Sequence, residues 1–170
     1  MAIFKRSGTS VPSSVADAVA LPKGERVLTW AELASGRGHV VLTISHIRVV
    51  LAGADAIGVL WDQVAHAEWD DPLLTVTFNA DGRQHRLTME LDTPGTVPQV
   101  LRERVQSTVI FECYRLLSIG SGARFVARRG VGAAAVRWSV IFDDGNQATN
   151  AEARAAADEV LVGLKADLGL

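Results

Sequence analysis

Four histidines are the first residues in this chain that could take part in chemistry. His39, His46, His66 and His85 are widely spaced, with no short paired interval between any two of them. A zinc site would need three or four ligands converging at about 2.0 to 2.3 Å, usually with thiolate partners or close spacing. The pattern therefore predicts strand or surface histidines and no metal-binding residue.

Carboxylates and a single cysteine are the next candidates. Two carboxylates can act as general acid and base when their surroundings separate their pKa values. However, Asp70 and Asp71 precede a proline and indicate a turn, while Glu68 and Glu90 occupy solvent-facing positions of predicted strands. Cys113 falls on the apolar side of a predicted helix, which is typical of a small core residue. We therefore predict no catalytic residue, no cofactor-binding residue and no cofactor.

The arginines form the most suggestive cluster. Between positions 101 and 137, seven arginines stand against two glutamates. A predicted hairpin around Gly130–Gly132 carries four of them, and these form a candidate patch for an anion or a protein partner: Arg124, Arg128, Arg129 and Arg137. The alternative is a solvated hairpin face whose arginines pair with acidic residues of the last helix.

The two faces of that hairpin follow from its expected register. A symmetric turn would place Arg124 opposite Trp138, close enough for a cation–π contact, and on the same face as Arg128. Arg129 and Arg137 would then lie on the other face.

Composition limits the classes of protein that could present these residues. The chain has 170 residues, 48% of them apolar and 21% charged, with a formal net charge of -2. This argues against a dedicated nucleic-acid binder and against disorder. No apolar stretch approaches the roughly 20 residues needed to span a bilayer. A lone cysteine fits a reducing compartment, so we expect a cytoplasmic location.

The positioning elements can be read from the hydrophobic periodicity. Apolar residues recur at period two in seven short runs, which predicts antiparallel strands at about residues 27–34, 39–44, 47–51, 57–61, 65–69, 73–78 and 84–91. From Val97 to Leu116 the apolar spacing becomes helical, which predicts one helix of about five turns. Two further strands, at 123–130 and 133–142, and a final helix would follow.

Two stretches of this pattern resemble bacterial proteins of the pleckstrin-homology-like superfamily, including GRAM-type and actinobacterial members. They are Gly38–Ile47, with its apolar run, short turn, basic residue and aliphatic residue, and Trp61–Trp69. The resemblance covers residues 25–117 and implies a scaffold for lipid headgroups, peptides or assembly contacts, usually without catalysis. Members that bind phosphoinositides place several cations in the first hairpin loop. That loop here offers only Arg37 and His39.

Together, these patterns predict an α+β protein built around a seven-strand antiparallel pleckstrin-homology-like barrel. Residues 1–24 would form an arm with a short helix, residues 25–118 the barrel and its C-terminal capping helix, and residues 119–170 a strand-strand-helix extension. We expect a non-catalytic binding or assembly module that contacts an unknown protein partner or forms a homodimer. One alternative is a small-molecule-binding protein or enzyme with a pocket between barrel and extension, recognisable by polar groups such as His66, Glu68 or Arg124. Another is a peripheral binder of anionic lipid or acidic protein.

Overall fold

The computed structural model of the chain describes residues 11–130, 132 and 135–170. The chain divides into two units, the first extending to Ser107 and the second running from Thr108 to Leu170.

Over its described residues, 11–107, the first unit contains two α-helices and seven strands, in the order predicted from the hydrophobic periodicity. They are α1 (Ser13–Ala18), β1 (Val27–Glu32), β2 (Gly38–Thr43), β3 (His46–Leu51), β4 (Ile57–Leu60), β5 (Val64–Asp70), β6 (Leu73–Ala80), β7 (Arg83–Glu90) and α2 (Val97–Ser107). Each strand lies within two residues of its predicted position. The alternation of apolar and polar side chains was therefore a sufficient signal for these elements.

The predicted seven-strand barrel is wrong, because the strands form two separate sheets. Strands β1 to β4 make a four-stranded antiparallel sheet, and β5 to β7 make a three-stranded one, here called the middle sheet. A single turn of 3-10 helix, Trp61–Gln63, separates β4 from β5 and carries the chain from one sheet to the other. Among the described residues, an isolated antiparallel bridge between Leu33 and Leu91 is the one further backbone pairing recorded outside the named strands. Within residues 11–107 no closed barrel forms.

The main core of the first unit lies between these sheets and α2. It contains Trp61, whose indole is 1% exposed and donates a hydrogen bond from Nε1 to the Thr43 carbonyl at 3.1 Å. Val97 and Leu101 of α2 are buried in the same cluster. The helix ends at Ser107, so the prediction that it continues to Leu116 is wrong.

The short helix α1 covers the outer face of the four-stranded sheet. Val15 and Val19 are buried there against Val41 of β2. Arg48 of β3 donates from Nε to the Val19 carbonyl at 2.8 Å, which ties the end of the helix to the sheet. This part of the N-terminal arm is therefore integrated into the fold.

The second unit consists of a three-stranded antiparallel sheet, here called the C-terminal sheet, and one long helix. Its elements are β8 (Val109–Leu116), β9 (Gly122–Arg128), β10 (Arg137–Phe142) and α3 (Ala151–Leu168), with β9 in the centre. The prediction placed Val131, Ala133 and Ala134 in the turn and strand between β9 and β10, and these three lie outside the described residues.

One face of the C-terminal sheet packs against α3. Phe125 is fully buried in the centre of this contact, against Ala157 and Leu164 of the helix. The helix begins after Asn150, whose side-chain oxygen accepts hydrogen bonds from the backbone amides of Glu152 and Ala153. This capping satisfies two of the amides that the first turn of a helix leaves without an intrahelical partner.

Candidate functional site

The candidate site is the face of the C-terminal sheet that points away from α3, here called the open face. Strand register places its side chains in four rows across β8, β9 and β10. The rows are Leu116–Gly122, Tyr114–Arg124–Ile141, Glu112–Val126–Ser139 and Val109–Arg128–Arg137. Alternation along each strand gives these residues a common face, because successive side chains point to opposite sides of a sheet.

Three of the four predicted patch arginines belong to this face. Arg124 lies opposite Ile141, and Arg128 lies opposite Arg137. Arg129 comes one residue after β9 and is exposed. The structure thus groups Arg124 and Arg128 with Arg137, which had been predicted to face the other way.

The predicted contact between Arg124 and Trp138 is also wrong. Trp138 pairs with Ala127 and lies on the helix-facing side, where its ring centroid is 6.0 Å from that of Phe111. The observed register differs from the symmetric hairpin by an odd number of residues. Since side chains alternate along a strand, this exchanges the faces of every β10 residue relative to β9.

The patch arginines differ in their surroundings. Arg124 is exposed and its Nη1 forms an ion pair with Glu112 Oε1 at 3.2 Å. Arg128 is only 6% exposed and donates from Nη1 to the Thr108 hydroxyl at 3.0 Å. Burial lowers the pKa of Arg128, and the carboxylate of Glu112 partly opposes that effect. The open face is therefore basic, but its cations do not form a uniformly solvated cluster.

Large apolar side chains accompany these cations. Leu116 is 72% exposed, Tyr114 50% and Ile141 40%, all on the open face. Ile110, at an irregularity of β8, and Ile119, in the turn before β9, are exposed as well. Such residues cost free energy in water, at about 25 cal/mol per Å² of apolar surface, and clustered exposure marks a contact surface more often than scattered exposure does.

The side chain of Tyr114 lies across the open face, over Gly122. Its hydroxyl donates to Asp143 Oδ2 at 2.7 Å, just beyond the end of β10. The hydroxyl and the carboxylate both occupy the space that a Cβ at Gly122 would take. The hydrogen bond to Asp143 raises the pKa of Tyr114 above its ordinary value. The phenol ring therefore has a fixed position at one end of the face.

The other chemical candidates are dispersed. His66 and Glu68 are exposed along β5, and His85 stacks on Phe78 with centroids 5.4 Å apart. No group of three or more histidine, cysteine, aspartate or glutamate side chains in the described ranges could hold a metal ion. Cys113 lies on β8 and packs towards α3, not on a helix as predicted.

A groove of about 260 Å³ lies within the first unit. It is lined by Leu33, Arg37, Leu51, Ala52, Thr88, Met89 and Glu90. Arg37 and Glu90 form an ion pair with each other at 2.7 Å. Of the polar residues proposed for a small-molecule site, neither His66 nor Glu68 nor Arg124 is among its described lining residues. The groove has a mainly apolar lining, and its two charged groups neutralise one another.

Sequence reasoning identified the basic residues of the open face and missed the apolar ones. Ile110, Tyr114 and Leu116 were assigned to a helix, because Val109, Cys113 and Leu116 also fit helical spacing. The overlooked signal was the run of β-branched and aromatic residues at Val109–Phe111, which favours a strand.

Comparison with known proteins finds no matching family model, no matching curated protein and no matching solved structure. None of the helices in the part of the chain that the structure describes is long and apolar enough to cross a membrane.

Proposed function

We propose that the chain is a non-catalytic assembly module that acts through protein contacts made by the open face. The observation that carries this proposal is the exposure of Tyr114, Leu116 and Ile141 on one face of a small sheet whose other face is covered by α3. A layered domain normally buries the apolar side of each element, so a group of exposed apolar side chains on one sheet face suits a partner.

The mixed chemistry of the open face supports a protein partner over a lipid surface. Apolar side chains with arginine and tyrosine among them are typical of the centres of protein interfaces. Electrostatic binding to an anionic membrane gains from freely solvated cations, at about 1 kcal/mol each near the surface. Here Arg128 is buried and Arg124 is paired with Glu112, which weakens that alternative.

The first unit supplies a scaffold in this proposal. Its seven antiparallel strands followed by α2 support a distant relationship to the pleckstrin-homology-like superfamily, although they form two sheets. Function cannot be taken from such a relationship, because one scaffold hosts many activities.

Thiol labelling can test whether a protein covers the open face. In a Cys113→Ser background, one chain would carry Ile141→Cys and a control chain Leu73→Cys, since Ile141 and Leu73 are 40% and 42% exposed. The labelling rate with a maleimide would be compared between the dilute purified chain and an extract of the cells that make it. We expect severalfold slower labelling at position 141 in the extract and little change at position 73.

Two further conditions make this test decisive. Adding Leu116→Glu should restore fast labelling at position 141 in the extract, because a charge at the edge of the face disrupts the contact. Equal labelling rates at both positions in extract and buffer would refute the proposal. If phosphatidylserine vesicles protect position 141 from labelling without any extract protein, lipid binding would replace the proposed protein contact.

A further inference from the structure

The outer side of α3 is a second exposed surface in the same unit. Ala156, Ala157 and Leu164 face the sheet, so the residues half a turn away point outward. Along this outward side Val162 is 68% exposed, and Ala155 and Ala166 are also exposed. The surface is thus a narrow apolar stripe centred on Val162.

Acidic residues flank this stripe. The exposed charges of α3 are four carboxylates and two cations: Glu152, Asp158, Glu159 and Asp167, with Arg154 and Lys165. The open face carries the opposite charge, from Arg124 and its neighbouring arginines. Both surfaces therefore place apolar side chains beside charges, and the charges are of opposite sign.

This complementarity favours one arrangement over the symmetric ones. Two open faces brought together would oppose arginine to arginine, and two α3 surfaces would oppose carboxylate to carboxylate. Opposing like charges across an interface costs several kcal/mol. An α3 helix on an open face instead brings a surface of net negative charge to one of net positive charge, and the Val162 stripe to Leu116 and Ile141.

The dimensions of the two surfaces also agree. The 18 residues of α3 span about 27 Å at 1.5 Å per residue. The eight residues of β8 span about 26 Å at roughly 3.3 Å per residue. A helix laid along the strands would therefore be long enough to cover the exposed part of the face, around Tyr114, Leu116 and Ile141.

Resting on the proposed function, we infer that the partner of the open face is the outer side of α3 from a second copy of this chain. In such a dimer one copy keeps an unused open face and the other an unused α3 surface, so the contact is head-to-tail and can extend to further copies. We expect weak, concentration-dependent association, since one helix on three strands is smaller than a standard interface of about 1,600 Å².

Sedimentation velocity of the full chain and two variants tests this arrangement. Leu116→Glu introduces a charge on the open face that repels acidic α3, and Val162→Glu introduces a charge in the α3 stripe. Both positions are well exposed in the single chain, at 72% and 68%, so both variants should fold. Circular dichroism checks this, and Ile141→Glu replaces Leu116→Glu if that chain unfolds.

We expect the unmodified chain to form larger species as its concentration rises, less so at high salt. Each variant alone should associate at least about tenfold more weakly, a change of roughly 1.4 kcal/mol. An equal mixture of the two should restore a 1:1 dimer, because the intact α3 of one fits the intact open face of the other.

Three results would overturn the inference: unchanged association of Val162→Glu, no dimer in the mixture, or an unmodified chain that remains monomeric at every concentration and salt. The first would mean that the contact does not use α3. In the last case, protection of position 141 in the labelling experiment would still support a different protein partner. The two proposals can therefore fail separately.

Discussion

Hydrogen bonds set the properties of two ionisable side chains, Glu25 and Tyr114. Glu25 Oε1 accepts from the Ser45 hydroxyl at 2.5 Å and from the Ser45 amide at 3.1 Å. Burial alone would raise the pKa of Glu25, but these bonds outweigh it and the pKa lies below its ordinary value. The ionised carboxylate therefore stabilises the turn between β2 and β3.

Glu25→Gln should lower the free energy of unfolding at pH 7 by about 1 kcal/mol. This value is smaller than the usual strength of a charged hydrogen bond, because Glu25 is partly exposed. A carboxyl with a lowered folded-state pKa contributes its stability above the unfolded value of about 4.3 and loses it as pH falls through the folded pKa. Urea unfolding at pH 7 and pH 3 should therefore show a larger difference between the two chains at pH 7 than at pH 3. An equal difference at both pH values would contradict this account.

Tyr114 is the one tyrosine in the chain, so phenolate absorbance reports on it alone. Its pKa should lie above about 10 and fall towards that value in Asp143→Asn, which removes the carboxylate that accepts its hydrogen bond. Gly122→Ala should have the same effect, because the new Cβ displaces the phenol and the carboxylate together. Asp144→Asn serves as the control, and the same fall in pKa in that chain would rule out this explanation.

Secondary-structure elements show where sequence reasoning succeeded. All seven strands of the first unit follow from alternation, because half-buried strands impose period two on the sequence. The two-sheet arrangement does not follow, because it depends on the turn at Trp61–Gln63 and on strand pairing. Alternation does not encode which strands pair with each other.

Strand β8 and the β9–β10 register show where that reasoning failed. Val109, Cys113 and Leu116 fit both a helical and an extended pattern, so periodicity alone could not assign β8. The register depends on the connection between β9 and β10, and an odd shift there exchanges the faces. The arginines of the candidate site could thus be identified from the sequence, but their apolar neighbours could not.

The cap of α3 gives a prediction at the scale of an element. Asn150→Ala should lower the free energy of unfolding of the second unit by about 1 kcal/mol, because it removes the acceptor for two backbone amides. Asn150→Asp should retain most of that stability, since aspartate is an equally good cap. Hydrogen exchange of the β9 amides measures both effects, and equal losses in the two variants would refute the capping role.

The whole molecule combines a scaffold whose four-stranded sheet is covered by α1 with a second unit whose open face is exposed at Tyr114, Leu116 and Ile141 and buried at Val126 and Arg128. Of the ten large apolar side chains exposed among the described residues, three lie on this face, whereas the outer residues of β5, including His66 and Glu68, are polar. In the second unit the open face carries three arginines and one glutamate, whereas α3 carries four carboxylates and two cations. This asymmetry favours assembly through the open face.

The central claim is that a protein covers the open face in the cell. The most direct measurement is photo-crosslinking in living cells, with a light-activated phenylalanine analogue replacing Ile141 in one chain and Leu73 in another. We predict a discrete adduct from position 141, of twice the chain's mass for a second copy, that disappears when Leu116→Glu is added. Equal crosslinking from both positions, or an adduct unaffected by Leu116→Glu, would contradict the claim.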